Sequence, residues 1–113
     1  MSSVLGIAQS GLQVAAVRLA SSANNVANGL TAGFVPSRVA AEERAGGGVS
    51  AKVEKRSDPE FEARIDRNIA DLSGTDPVQE TVEQILAASA FRQNLASLRT
   101  ADETAKALLD VKV

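Results

Sequence analysis

The chain has 113 residues, 12 basic and 14 acidic for a net charge of −2, and contains neither cysteine nor histidine. Those absences exclude a disulfide framework and a Cys/His metal site, and they remove the commonest general base and the commonest soft nucleophile. The mixed charge and the 3% aromatic content argue against a nucleic-acid surface, which requires a basic face and stacking platforms.

Hydrophobic residues make up 44% of the chain, but many are alanine. Alanine favours helix and contributes little burial, so one small domain of this kind has a thin core and is expected to complete it with a partner or with copies of itself. No apolar run approaches the roughly 20 residues of a membrane span. The opening MSSVLGIAQSGLQVAAVRLA has no basic start before its apolar part, so it does not read as a cleaved secretory signal.

From Ser3 to about Ala27 the pattern is helical, with Ser2 or Ser3 as the cap. Leu5, Leu12, Leu19 and Val26 recur every seven residues, with Ala8, Ala15 and Ser22 at a second heptad position. Large and small side chains alternate along this seam, so a partner helix can approach closely. Asn28-Gly29 is expected to end the helix in left-handed backbone. Asn24 and Asn25 exceed what one cap requires. The bland account of the three asparagines is capping plus hydrogen bonds to neighbouring backbone, and the sharper one is a ligand-binding amide cluster.

Residues 29–75 read as a connecting segment. Phe34, Pro36 and Val39 alternate weakly, and Val49, Ala51 and Val53 alternate with Ser50, Lys52 and Glu54 as in a half-buried strand. A two-stranded hairpin over about 34–55 follows, with Ala45-Gly46-Gly47-Gly48 as a flexible link between the strands. No Gly-Lys-Ser/Thr accompanies these glycines, so they do not read as a phosphate loop. Lys52, Lys55 and Arg56 are interrupted by Glu54 and Asp58 and read as a solvated face. Asp58-Pro59 then starts a short helix over about 59–72, carried by Phe61, Ile65, Ile69 and Leu72.

Asp76-Pro77, with Gln79 at the capping-box position, begins a long helix that runs to about Asp110. Its apolar stripe includes Val78, Val82, Ile85, Ala88, Phe91, Leu95, Leu98, Ala105, Leu108 and Leu109, with no interior glycine or proline. The fold class is therefore mainly α. Helices over 1–28 and 76–113 pair as an antiparallel coiled-coil hairpin, joined by a short irregular, β-hairpin-like middle with one short helix. The carboxylate pairs Glu42-Glu43 and Asp102-Glu103 lie in ordinary exposed contexts. No serine is singled out beside a desolvated lysine. No catalytic residue, cofactor, metal or small-molecule substrate is expected.

The opening asparagines carry a further signal. Asn25-Val26-Ala27-Asn28, then Thr31, Gly33 and Phe34, resembles the N-terminal signature of bacterial flagellar axial proteins, in which an N-aliphatic-A-N-x-x-T-x-G-aromatic pattern closes the first helix. At the other end Glu80, Val82, Ile85, Ser89, Phe91, Asn94, Leu95, Leu98, Thr100, Asp102 and Leu108 resemble the C-terminal helix of the same proteins. The match covers about 20 residues at the front and 35 at the back. The chain has Phe91 where the family usually has tyrosine, and Gln93-Asn94 where it often has alanine-asparagine. Its length resembles that of the small proximal rod subunits.

The resemblance implies a structural subunit of the flagellar basal-body rod, the drive shaft that transmits torque from motor to hook. Its terminal helices would polymerise into a tube with other rod subunits and copies of itself. It would leave the cell unfolded through the flagellar export apparatus, without a cleaved signal. The expected assembly interface comprises Leu5, Leu12, Leu19, Asn24, Asn25, Val26, Asn28, Thr31, Gly33, Phe34, Val82, Ile85, Phe91, Asn94, Leu95, Leu98 and Leu108. Two other classes remain in play: a helical-hairpin adaptor or export chaperone that binds a partner helix, and a small carboxylate-dependent enzyme.

Overall fold

The computed structural model describes residues 3–56, 59, 63 and 73–111, and among these described residues two long helices and two strands are laid out. Helix α1 spans Val4–Ala27. Ser3, in extended backbone, accepts a hydrogen bond on its Oγ from the Gly6 N–H at 3.1 Å and so caps one of the orphan donors of the first turn. The helix ends at Asn28, but not in left-handed backbone. Asn28 has φ −100°, and the glycines with positive φ are Gly33, Gly47 and Gly48. The last carbonyls are met instead by Asn28 itself: its side-chain Nδ2 and its backbone N–H both donate to the Asn24 carbonyl, at 3.0 and 3.2 Å.

Strands β1 (Ser37–Glu43) and β2 (Val49–Lys55) pair antiparallel, from Ser37 opposite Lys55 to Glu43 opposite Val49. The glycines between them form a built turn, not a loose link. Arg44 N–H donates to the Gly48 carbonyl and Gly47 N–H to the Arg44 carbonyl, each at 3.0 Å. Gly47 and Gly48 take φ of 94° and 83°, a region that side chains disfavour. The hairpin alternates as its sequence suggests, with Arg38, Glu42, Lys52 and Glu54 on one face, although Val53 on the other face is exposed. The short helix expected over about 59–72 lies, apart from Pro59 and Ala63, outside the described residues.

Helix α2 spans Pro77–Val111. Asp76 Oδ1 accepts from the N–H groups of Val78 and Gln79 at 3.0 and 3.4 Å, as an N-cap should. Gln79 does not return the bond that would complete a capping box.

The two helices run antiparallel. Ser22 meets Glu80, and Gly11 meets Asn94 farther along α2. Of the expected seam, the small half is buried and most of the large half is not. Ala8, Ala15 and Ser22 of α1 and Ala87 of α2 are buried, whereas Leu5, Leu19 and Val26 keep 43%, 47% and 50% of their surface exposed. Small side chains let the two backbones approach, and the leucines are left on the flank. A Cβ on Gly11 would stand 2.6 Å from Asn94 Cγ, so the Asn94 side chain would have to shift to admit it. The hairpin lies against α1, where Ser10 Oγ accepts from the Val49 N–H at 3.0 Å. A Cβ on Gly48 would sit 2.6 Å from that same oxygen.

The result is a rod-shaped molecule, 73 × 26 × 14 Å, with a radius of gyration of 19.1 Å. A compact domain of this length would have about 13 Å. Its accessible surface of 7833 Å² likewise exceeds the roughly 5,900 Å² usual for a folded monomer of this mass. One expectation is narrowed: α1 reaches a mean hydropathy of 1.2 over an 18-residue window, long and apolar enough by length and composition alone to cross a membrane. Its polar Ser10, Ser22 and Asn25 are nevertheless buried within the chain.

Candidate functional site

At one end of the rod the two terminal motifs meet in a buried polar junction. Asn25 sits in the last turn of α1 and is 1% exposed. Its amide clasps the first residue of β1 from both sides: Nδ2 donates to the Ser37 carbonyl at 2.7 Å, and Oδ1 accepts from the Ser37 N–H at 2.9 Å. The amide thus imitates a neighbouring strand. Nδ2 also donates to Glu80 Oε1 at 3.0 Å.

Glu80, in the first turn of α2 and itself 1% exposed, receives Arg56 Nη2 on the same oxygen at 3.4 Å. Ser22 Oγ donates to the Glu80 carbonyl at 3.2 Å, Gln84 Nε2 donates to Ser22 Oγ at 3.3 Å, and Thr75 Oγ1 donates to the Asn25 carbonyl at 2.9 Å. A carboxylate removed from water requires a cation and donors around it, and Glu80 has both.

The rest of the N-terminal motif shapes the turn that follows. Thr31 Oγ1 donates to Asn28 Oδ1 at 3.1 Å, and the Thr31 and Phe34 N–H groups close successive turns on Asn28 and Thr31. Gly33 has φ 73°, which explains a glycine at that position. The Phe34 carbonyl then accepts from Gly74 N–H at 2.8 Å, and Lys55 Nζ lies 5.5 Å from the centre of the Phe34 ring. Two of the three asparagines therefore hold backbone, as the bland account expects. Asn25 is committed inside the chain, so its direct place in an assembly surface gives way to positioning β1.

Arg56 is also corrected. Its side chain is 18% exposed and neutralises Glu80, whereas Lys52 and Lys55 are exposed as a solvated face would be. Beside the junction lies a cavity of about 350 Å³, lined in part by Arg18, Ser21, Arg38, Arg56, Glu80 and Glu83.

On the hairpin's charged face, Glu54 accepts from Lys52 at 3.1 Å and Arg38 at 3.3 Å, and Lys52 also approaches Glu42 at 3.6 Å. The hydrogen bond from Lys52, then that from Arg38, holds the Glu54 carboxyl below its ordinary value, and Glu54 in turn raises the Lys52 ammonium.

The opposite end is bare. Helix α2 has 35 residues against 24 in α1, so its C-terminal part runs past the start of α1 by about 16 Å. There Val4 and Leu5 face Ala96, Ala101, Ala105 and Leu108 across an open apolar groove of about 700 Å³.

Of the residues expected at an assembly interface, Leu5, Leu19, Val26, Val82, Ile85, Phe91 and Leu108 keep between 42% and 68% exposure. Asn24 and Thr31 are exposed, and Leu12, Asn28, Gly33, Phe34, Asn94, Leu95 and Leu98 are half-buried. Sequence reasoning missed Arg18, Ser21, Ser22, Ser37, Arg56 and Thr75 as members of a site. They come from four separate stretches of chain and carried no local signal of their own; only the nearby surplus of asparagine marked the region. The chain matches no protein-family model, and comparison with curated proteins gives no match.

Proposed function

We propose that this chain is a structural subunit of a bacterial flagellar rod, which assembles through its two terminal helices with copies of itself and with other rod subunits. The observation that carries the reading is the apolar surface left uncovered along both helices. Leu5, Leu19 and Val26 on α1, and Val82, Ile85 and Leu108 on α2, are each at least 43% exposed. Single exposed leucines are ordinary, but rows of them at helical spacing on a thin rod are unfinished burial. The paired N- and C-terminal signatures supply the identity of the assembly, and a head-to-tail contact whose rotation does not close supplies a helical tube.

In this reading the antiparallel pair enters a coiled-coil lattice in which neighbouring subunits cover the leucine flanks. The polar junction keeps the two motifs in register within each subunit. The rod spans the periplasm, and the chain reaches it by the flagellar export route.

The test has two arms. A strain lacking the chain is expected to be non-motile and to build no filament. Ile85→Glu and Leu108→Glu are expected to leave the isolated chain folded but to abolish its self-association in sedimentation, and to fail to restore motility. A motile deletion strain with complete filaments overturns the reading. The apolar groove between the start of α1 and the overhang of α2 also suits a partner helix. A stable one-to-one complex with a different protein and no polymer would favour the adaptor instead.

A further inference from the structure

Among the described residues no large apolar side chain is more exposed than Leu30, which keeps 100% of its surface open. It does not sit on a loose segment. The Gly29 N–H donates to the Val26 carbonyl at 3.0 Å, the Thr31 N–H to the Asn28 carbonyl at 3.1 Å and the Phe34 N–H to the Thr31 carbonyl at 3.2 Å, so the turn is pinned on both sides of the leucine. Thr31 Oγ1 adds its bond to Asn28 Oδ1, and Gly33 bends the chain at φ 73°. The neighbours of Leu30 are small, Gly29 before it and Thr31, Ala32 and Gly33 after it. Leu30 is therefore a single apolar knob on a narrow, fixed tip.

The open groove lies at the other end of α1. The tip follows Ala27 and the groove begins at Ser3, so the 24 residues of α1 hold the two about 36 Å apart. An intact helix does not fold back on itself, so the tip cannot enter the groove of its own chain, whereas the tip of a second copy can. The groove of about 700 Å³ has room for a leucine and the turn that carries it, and Val4, Leu5, Ala101, Ala105 and Leu108 supply its apolar wall. Charge agrees. No charged residue lines the groove and none occurs in residues 28–34, in a chain of which 23% is charged.

We propose that the Leu30 tip of one copy seats in this groove of the next, as a heterologous head-to-tail contact. Knob and socket stand at opposite ends, so every copy added leaves one tip and one groove open, all copies point the same way, and the series does not close. The contact rests on the rod reading for its place in a tube, where it supplies the step along the axis. One leucine anchor makes a weak pair, and lateral neighbours in a lattice strengthen it by holding the next tip close.

The experiment uses the full chain, which has no cysteine of its own. A nitroxide is attached at Ala32→Cys, an exposed position on the tip, and this chain is mixed with an unmodified ¹⁵N-labelled copy at about millimolar concentration. Only the ¹⁵N copy is seen, so any broadening is between molecules. The amide signals of Val4, Leu5, Ala101, Ala105 and Leu108 are expected to lose intensity, while those of Asn25 and Ser37 keep it. Leu30→Glu in the nitroxide chain changes a side chain that touches nothing, so the fold should hold. It should weaken the contact about 10- to 100-fold and restore the groove signals. Leu30→Met should leave them broadened.

Groove signals that keep full intensity overturn the proposal, and the groove is then left to the helix of a different protein. Broadening that survives Leu30→Glu, or that centres on residues 28–34 of the ¹⁵N copy, overturns it as well. The rod reading is judged separately by the deletion strain. A non-motile strain without groove broadening removes this contact alone, and groove broadening beside a motile strain with complete filaments removes the rod reading alone.

Discussion

The two ends of this rod solve opposite problems. At the junction end, α1, α2 and the hairpin are locked by Asn25, Glu80, Arg56, Ser22 and Thr75, and the two central side chains are each 1% exposed. At the far end, α2 runs on past α1 and displays Leu108, Leu109 and Val111 at 68% exposure or more. The first end is directional and polar, so it specifies one geometry. The second is apolar and open, so it can be covered by another molecule without unpairing any hydrogen bond. A subunit that must keep its own shape while offering surface to others is well served by separating these two tasks along its length.

Changes at the junction should therefore act on folding, and changes on the flanks should act on association. The largest effect is expected from Glu80→Ala, which strands Arg56 and the Asn25 amide together. The loss should be about 4 kcal/mol in chemical denaturation, with Glu80→Gln losing less because it still accepts from Asn25. Asn25→Ala should follow at about 3 kcal/mol, since it leaves the Ser37 N–H and carbonyl without partners. Its signature is faster amide exchange at Ser37 and along β1. A denaturation midpoint unchanged by either substitution would contradict the account of the junction.

Gly48→Ala should cost about 2 kcal/mol. It places a Cβ against Ser10 and asks a side chain to adopt φ +83°. Loss of the Ser10–Val49 bond would appear as increased exchange at Val49. On the bare flank, Ile85→Glu should change the stability of the isolated chain by no more than about 0.5 kcal/mol, because its side chain is already 63% exposed. A large loss of stability there would mean that the flank is part of the core.

The smallest effect concerns pH. Glu54 has a lowered carboxyl value, so its contribution to the hairpin is present above the ordinary carboxylate range and is lost as pH falls through its folded value. Lys52 has a raised value, so its contribution is present below the ordinary lysine range and is lost as pH rises through the folded value. Both groups are at the surface, so salt should screen the effect. Amide exchange of β2 at low and high salt across an acid titration measures it.

Local chemistry carried much of the architecture. The caps at Ser3 and Asp76 and the long apolar periodicity of both ends determined where the helices lie, because helix formation depends on neighbours three and four residues away. Alternation around a glycine run likewise announced the hairpin. The heptad was legible as a period, but of its two positions the small one forms the seam and most of the large one is left on the flank. Periodicity shows which residues share a face and is silent on which of two adjacent faces packs first, and here Ala8, Ala15 and Ser22 admit the closer approach.

The site was less legible. The asparagine surplus marked Asn25, but its partners Ser37, Thr75 and Glu80 lie 12, 50 and 55 residues away. Arg56 looked like one more surface cation among lysines. What the sequence alone determined was a rod of two helices with uncovered apolar flanks. The tertiary structure alone decided that a buried carboxylate joins the two terminal motifs and that a cavity of about 350 Å³ opens beside it. Hydrogen bonds and charge pairs depend on distances of a few ångströms between segments far apart in the chain, and no local pattern of residues records those distances.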